Sequence, residues 1–130
     1  MQKFTVLLID DSPEDIELAT RALRKNQFIE KILHFKDGSL ALDFLYGEQA
    51  EKPAPKIILL DMNMPGMSGL EFIRKIKADK RTSEIPVAVL TATTELPDIK
   101  ESMRLGVEFY IPKPLESEDI DKIAEKLGMN

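Results

Sequence analysis

The sequence predicts an α/β domain in which helices cover both faces of a parallel sheet. Three observations support this prediction. Short apolar segments recur five times, a segment with helical spacing follows each of them, and capping or breaking residues separate the two. Continuous apolar runs are typical of parallel strands that are buried on both faces. With 130 residues, the chain is expected to form one domain over residues 1–130.

The first half of the chain predicts two strands and two helices. Residues 4–9 form an apolar strand, and Ser12 and Pro13 mark the start of the next helix, because serine caps helices and proline suits their first position. A weaker apolar run predicts a second strand at residues 32–35. Ser39 is the predicted cap of the second helix.

The second half repeats this pattern three times. Strands are predicted at residues 57–60, 87–90 and 109–111, and the helices after them at Ser68, Pro97 and Ser117. Gly106 and Gly128 are expected to end the last two helices, because glycine adopts the conformation needed at a helix end without strain.

The composition excludes several kinds of site. The chain has no cysteine, which excludes disulfides, thiolate metal sites and cysteine nucleophiles, and its one histidine, His34, excludes a multi-histidine metal site. The net charge of −5 argues against a nucleic-acid partner. The apolar runs are too short for a signal peptide or a membrane span, so we expect a cytoplasmic protein without a membrane partner.

Polar residues stand where the predicted strands end. Asp10 and Asp11 follow the first strand, Asp61 the third and Thr91 the fourth, and Lys113 lies just beyond the fifth. Because sites in open α/β sheets form outside the carboxyl ends of the strands, these side chains are predicted to share one cleft. His34, on the second strand, is expected to lie away from it.

The predicted cleft requires positive charge. Three carboxylates repel one another, and Lys113 offsets only part of that repulsion. Mg²⁺ is suited to offset the rest of this repulsion, because it prefers oxygen ligands and uses few protein carboxylates. A carboxylate beside Mg²⁺, a lysine and a hydroxyl is a candidate phosphoryl acceptor.

Four motifs now identify a resemblance that spans residues 4–127. In order along the chain they are LLIDDSP, ILLDMNMPGMSGLE, VLTA and FYIPKP. Together they resemble the receiver domain of two-component response regulators, the CheY-like family. The resemblance implies a flavodoxin-like, doubly wound sheet of five parallel strands with five helices in three layers. Its strand order would be 2-1-3-4-5, as in flavodoxin and CheY themselves.

The resemblance assigns the metal and acceptor residues. Asp61 matches the aspartate that is phosphorylated, and it would also contact the metal. Asp10 and Asp11 match the acidic pair, in which Asp11 would bind Mg²⁺ directly and Asp10 mostly through water. Asn63 matches the position whose backbone carbonyl is a metal ligand.

Three further residues match the switch. Thr91 matches the hydroxyl that moves toward the phosphoryl group, and Lys113 matches the family's lysine, whose bond to Pro114 is cis. Tyr110 matches the aromatic residue that turns inward after that movement, although a half-buried tyrosine in an edge strand is also ordinary packing.

The implied function is that of a stand-alone response regulator without an effector domain. A sensor histidine kinase or phosphotransfer protein would phosphorylate it. The domain would act as a signalling switch that catalyses only its own phosphorylation and slow dephosphorylation, rather than as an enzyme. The surface of the fourth helix, fifth strand and fifth helix would then bind an unnamed protein target or a second copy of the chain. The Gly47 to Pro55 insert, together with the segments LDMNMPGMSG and ELPDIKES, looks most like stand-alone regulators that serve phytochrome-type sensor kinases.

Three alternatives stay open at this point. The domain could be a constitutive interaction module that does not use phosphate. A Mg²⁺-dependent phosphatase usually has a second acid two residues after its nucleophile, and here that residue is Asn63. A flavin- or nucleotide-binding domain is disfavoured, because no glycine-rich phosphate loop follows the first strand.

Overall fold

Strands and helices alternate through the whole of the described chain. The structure is a computed structural model, and it describes residues 3–47, 55–62, 67–92 and 97–128. The strands are β1 (Phe4–Ile9), β2 (Ile29–Phe35), β3 (Ile57–Asp61), β4 (Val87–Thr91) and β5 (Phe109–Pro112). The helices are α1 (Pro13–Arg24), α2 (Gly38–Tyr46), α3 (Gly69–Ala78), α4 (Pro97–Arg104) and α5 (Ser117–Lys126).

The five strands form one parallel sheet in the order β2-β1-β3-β4-β5. This arrangement confirms the fold that the resemblance implied. The register places Asp61 beside Leu90 and Thr91 beside Pro112, so the carboxyl ends of β3, β4 and β5 meet at one edge. That edge is where a doubly wound sheet presents its site.

Each face of the sheet has its own apolar core. Alternate residues of a strand point to opposite faces, so Val6 and Leu8 of β1 lie in one core, whereas Leu7 and Ile9 lie in the other. Buried residues of α1 and α5 complete the first core, and buried residues of α2, α3 and α4 complete the second. The sheet is therefore covered on both faces, which explains its continuous apolar strands.

Two predicted helix caps are wrong by one or two residues. Asp37, rather than Ser39, caps α2, and its carboxylate accepts a hydrogen bond from the backbone N–H of Leu40 at 2.8 Å. Glu116, rather than Ser117, is the cap of α5, where the Asp119 carboxylate accepts from the backbone N–H of Glu116 at 2.9 Å. In both helices the predicted serine already lies inside the first turn. The caps at Ser12 and Ser68 are confirmed.

Strand β2 begins three residues earlier than predicted, at Ile29. The first residues of this strand include the exposed Glu30 and Lys31, which interrupt the apolar run in the sequence. Gly106 and Gly128 have φ values of +95° and +76°, as expected of glycines that end helices. None of the helices in the described ranges has the length and apolar character that crossing a membrane requires.

Candidate functional site

The predicted polar residues meet at the carboxyl edge of the sheet. Asp10 directly follows β1, Asp61 is the last residue of β3, Thr91 is the last residue of β4, and Lys113 directly follows β5. One carboxylate oxygen from each of Asp10, Asp11 and Asp61 lies within 4.8 Å of the others. The fold thus brings together groups that are about a hundred residues apart in the chain.

Lys113 provides the positive charge closest to Asp61. Its Nζ donates a hydrogen bond to Asp61 Oδ1 at 3.1 Å, and the Asp61 side chain is almost completely buried. Partial burial alone would lower the pKa of Lys113, but hydrogen bonds to Asp15 and Asp61 outweigh it, so the pKa is raised. The ammonium is therefore charged at neutral pH.

Asp15 is the site residue that the sequence analysis missed. Its Oδ2 accepts a hydrogen bond from Lys113 Nζ at 2.8 Å, which is shorter than the contact between Lys113 and Asp61. An acid in the first turn of a helix is common for its favourable dipole interaction alone, so nothing in the local sequence marks Asp15 as a site residue. The contact joins residues 98 apart, and no local pattern signals it.

Asp10 is fully buried and only partly satisfied. Its Oδ1 accepts a hydrogen bond from the backbone N–H of Ser12 at 2.9 Å. Its Oδ2 is buried and has no hydrogen-bond partner in the described part of the chain. Burial raises the pKa of Asp10 to about 6, and the negative charge of Asp61 adds to the rise, against the opposing Ser12 hydrogen bond.

These acids fit a hard divalent cation. A buried carboxylate oxygen without a partner is costly, and coordination to a cation would satisfy it. Three carboxylates converge on the same point, and Asp11 is the most accessible of them. Oxygen donors of this kind are what Mg²⁺ and Mn²⁺ bind. Asn63, the predicted backbone ligand, lies outside the described residues.

The two predicted switch residues lie on neighbouring strands. Thr91 is buried at the end of β4, and Tyr110 is half-buried in β5. The Tyr110 hydroxyl is 2.8 Å from Oγ of Ser102, a fully buried residue of α4. Burial raises the pKa of Tyr110, so its hydroxyl is neutral at physiological pH.

The segment after Asp61 packs tightly against α3. A Cβ atom added to Gly69 would lie 2.9 Å from the backbone Cα of Met62 and 2.7 Å from its Sδ. Met62 directly follows Asp61 in the chain. Glycine at position 69 therefore allows the start of α3 to lie close to the acceptor strand.

The expected position of His34, away from the cleft, is wrong. Its Nε2 lies 3.0 Å from the backbone carbonyl oxygen of Asp10, so the residue is next to the site rather than away from it. A carbonyl can only accept a hydrogen bond, so Nε2 must carry the proton. The contact supports the backbone at Asp10. The predicted cis bond between Lys113 and Pro114 is present.

The sequence matches a known protein family that has such a site. The family described as the response regulator receiver domain matches residues 6–125. The chain belongs to that family. A receiver domain is a signalling switch that accepts a phosphoryl group, rather than a conventional enzyme, and it functions with histidine kinases and downstream targets.

Solved receiver structures resemble this one over nearly its whole length. The bacteriophytochrome response regulator AtBRR is 32% identical, with a TM-score of 0.85, and the match covers 100% of this chain and 96% of that one. The phosphorylated cyanobacterial phytochrome response regulator RcpA is 31% identical, with a TM-score of 0.78 and coverage of 96% and 91%.

A third similar structure is the Mn²⁺-bound form of the response regulator Rcp1. It is 32% identical, with a TM-score of 0.76 and coverage of 95% and 91%. Rcp1 is a protein of Synechocystis. The likeness of this receiver domain to phytochrome-associated regulators, which the sequence suggested, is thus confirmed.

Proposed function

We propose that this receiver domain catalyses its own phosphorylation on Asp61 in a Mg²⁺-dependent reaction. The observation that carries the proposal is the position of Asp61, buried within a triad of acids and hydrogen-bonded to the ammonium of Lys113. A carboxylate held beside a fixed cation is suited to attack phosphorus, because the cation offsets charge on the phosphoryl oxygens.

The phosphoryl donor is a phosphohistidine of a sensor histidine kinase or phosphotransfer protein. One carboxylate oxygen of Asp61 attacks the phosphorus, so that an oxygen–phosphorus bond forms and the nitrogen–phosphorus bond breaks. The electron pair of the broken bond remains on the imidazole nitrogen, which takes a proton from solvent. Lys113 and the Thr91 hydroxyl then donate hydrogen bonds to the new phosphoryl oxygens.

Asp10, Asp11, Asp61 and the backbone carbonyl of Asn63 are the groups that would hold Mg²⁺. When bound, the ion neutralises negative charge on the phosphoryl oxygens. Asp10 Oδ2, which is buried and has no hydrogen-bond partner among the described residues, supports this assignment, as does the similarity to Mn²⁺-bound Rcp1. Asp10 Oδ1 already accepts a hydrogen bond from the backbone N–H of Ser12, so Oδ2 is the oxygen of Asp10 that would hold the ion.

Phosphorylation changes the surface of α4, β5 and α5. Thr91 moves toward the phosphoryl group, and Tyr110 occupies the space behind it. Because Tyr110 is bonded to Ser102, this movement breaks a hydrogen bond to α4 and so affects that helix. The changed surface binds a downstream protein target or a second copy of the chain. The phosphoryl group needs to favour one of two existing states by only a few kcal/mol.

Intact-protein mass spectrometry with acetyl phosphate as donor tests this function. The wild type is expected to gain one phosphoryl group in Mg²⁺ and none in EDTA, and Asp61→Asn is expected to gain none. Asp43→Asn, at an exposed position of α2, is the matched control and should behave as the wild type does.

Two results would contradict the proposal. One is a folded wild type that gains no phosphoryl group in Mg²⁺, which would favour a constitutive interaction module. The other is an Asp61→Asn variant that is phosphorylated as fast as the wild type, which would place the acceptor elsewhere.

A further inference from the structure

Lys113 lies between two carboxylates that come from different parts of the fold. Its Nζ is 2.8 Å from Asp15 Oδ2 on α1 and 3.1 Å from Asp61 Oδ1 on β3. The Lys113 side chain is 24% exposed and that of Asp15 is 35% exposed, whereas that of Asp61 is only 4% exposed. The ammonium therefore bridges from the buried acceptor to a helix at the rim of the site.

Asp15 is held by a rigid element. It lies in the first turn of α1, and its backbone N–H faces the Ser12 side chain that caps the helix. The same helix is anchored in the core by Ala19 and Leu23. Lysine, in contrast, has a flexible four-carbon side chain that does not fix the position of its own ammonium.

We propose that Asp15 is a positioning residue for phosphoryl transfer, because it holds the Lys113 ammonium where the phosphoryl oxygens form. This inference rests on the proposed function. An ammonium has three N–H donors. Asp15 and Asp61 engage two of them, so in the described part of the site the third can reach a phosphoryl oxygen while the bond to Asp15 persists.

Stability alone does not explain Asp15. A fourth carboxylate adds to the repulsion among Asp10, Asp11 and Asp61. A partly exposed ion pair stabilises a fold little in return. Positioning does explain it, because catalytic groups lose much of their effect when they shift by about 1 Å.

The charge and the position of Asp15 have opposite effects on the reaction. Its negative charge repels an anionic donor, whereas its hydrogen bond orients Lys113. Asp15→Asn is therefore expected to lower the maximal rate of phosphorylation by about fivefold to tenfold, since the ammonium is less well placed. The half-saturating concentration of acetyl phosphate should stay the same or fall, because one negative charge has been removed.

The experiment measures phosphorylation against acetyl phosphate concentration for four proteins: the wild type, Asp15→Asn, Asp15→Glu and Glu14→Gln. Glu14 is the matched control, because it is an exposed acid in the same helical turn. Glu14→Gln removes the same kind of helix-dipole interaction but keeps the contact between Asp15 and Lys113. The maximal rate should therefore stay within about twofold of the wild type. Asp15→Glu keeps the charge and should recover most of the lost rate.

The decisive comparison repeats Asp15→Asn in a Lys113→Met background. A positioning residue acts only through the lysine, so Asp15→Asn should then change the maximal rate by less than about twofold. An effect as large as in the wild-type background would overturn the inference, as would an unchanged maximal rate in Asp15→Asn alone.

Thermal unfolding gives a second readout that needs no phosphoryl transfer. If the two side chains bond as the structure shows, the changes in Tm from Asp15→Asn and Lys113→Met should not add in the double variant. Additive changes would overturn the inference even where Lys113→Met is too slow to assay. A wild type that takes up no phosphoryl group refutes the proposed function, whereas normal uptake with an unaffected Asp15→Asn refutes only the role of Asp15.

Discussion

Two buried polar side chains connect helices to their neighbours, and they do so to different extents. Asn26, just after α1, has two N–H groups on Nδ2. They share three acceptors in α5 at 2.9–3.1 Å, which are the Ser117 backbone carbonyl, Ser117 Oγ and Asp121 Oδ1. Asn26 Oδ1 accepts from the backbone N–H of Phe28 at 2.9 Å. In the described part of the chain, the Ser102 side chain of α4 has one hydrogen bond to β5, with the hydroxyl of Tyr110.

The difference separates a fixed layer from a movable one. Asn26 ties α1 to α5, and α1 carries Asp15, so the layer that positions Lys113 is held by several bonds at once. The Ser102 hydroxyl hydrogen is committed to the carbonyl of Ile99 at 2.6 Å, so Tyr110 donates to Ser102. Moving Tyr110 therefore breaks one hydrogen bond, which suits a surface that must change.

The first prediction tests the fixed layer. Asn26→Ala removes several partly buried hydrogen bonds and leaves the buried N–H of Phe28 without its acceptor, so the free energy of unfolding should fall by about 3 kcal/mol. Urea denaturation measures this loss. Gln27→Ala, the exposed amide next to it, is the control and should lie within about 0.5 kcal/mol of the wild type. A loss below about 1 kcal/mol would show that Asn26 does not fix the layer.

The second prediction asks whether α3, on the same face as α4, also belongs to the movable layer. Gly69→Ala places a methyl group 2.9 Å from the Met62 Cα, so we expect a loss of about 2 kcal/mol in stability together with slower phosphorylation of Asp61. Gly106→Ala is the comparison, since its added Cβ meets no atom within 4 Å. It should lose about 1 kcal/mol through its positive φ alone and retain the phosphorylation rate. If Gly69→Ala is tolerated, α3 shifts as easily as α4.

The third prediction concerns the hydrogen bond between Ser102 of α4 and Tyr110 of β5. Ser102→Ala and Tyr110→Phe each remove one partner of the same hydrogen bond, so each should lower stability by about 1 kcal/mol. The double variant should lose no more than about 1.5 kcal/mol, because the two residues share the interaction. Denaturant unfolding of the four proteins measures this coupling. Fully additive losses would mean that Ser102 and Tyr110 act independently and that α4 is held in another way.

The contrast between layers was only partly accessible from the sequence. The positions of the strands and helices and the meeting of Asp10, Asp61 and Lys113 follow from apolar runs, glycines and polar residues at the strand ends. The strand order was implied by the resemblance to receiver domains. The contact of Asp15 with Lys113 joins residues 98 apart, and that of Asn26 with Asp121 joins residues 95 apart. Such pairs depend on how helices pack across the sheet, and neither Asp15 nor Asn26 stands out locally.

The predictions of two helix caps and of the start of the edge strand β2 were wrong for a related reason. Ser39 and Ser117 are good capping residues, but acids at Asp37 and Glu116 stand one or two positions earlier and take the cap. The start of β2 was missed because an edge strand tolerates exposed polar residues that a buried strand does not. In each failure, the surroundings of the residue mattered more than its type.

The smallest effect is expected where the sequence pattern is clearest. Glu17 and Arg21 are four residues apart on α1, a spacing that predicts an ion pair, and the structure contains that pair. Both side chains are more than 60% exposed, so water screens their attraction, and Arg21→Gln should lower stability by less than about 0.5 kcal/mol. Unfolding at low and high salt measures it, and the small loss should vanish at high salt. A loss as large as that of Asn26→Ala would mean that surface charge holds α1 in place, and that its buried amide connection to α5 is not what fixes the layer.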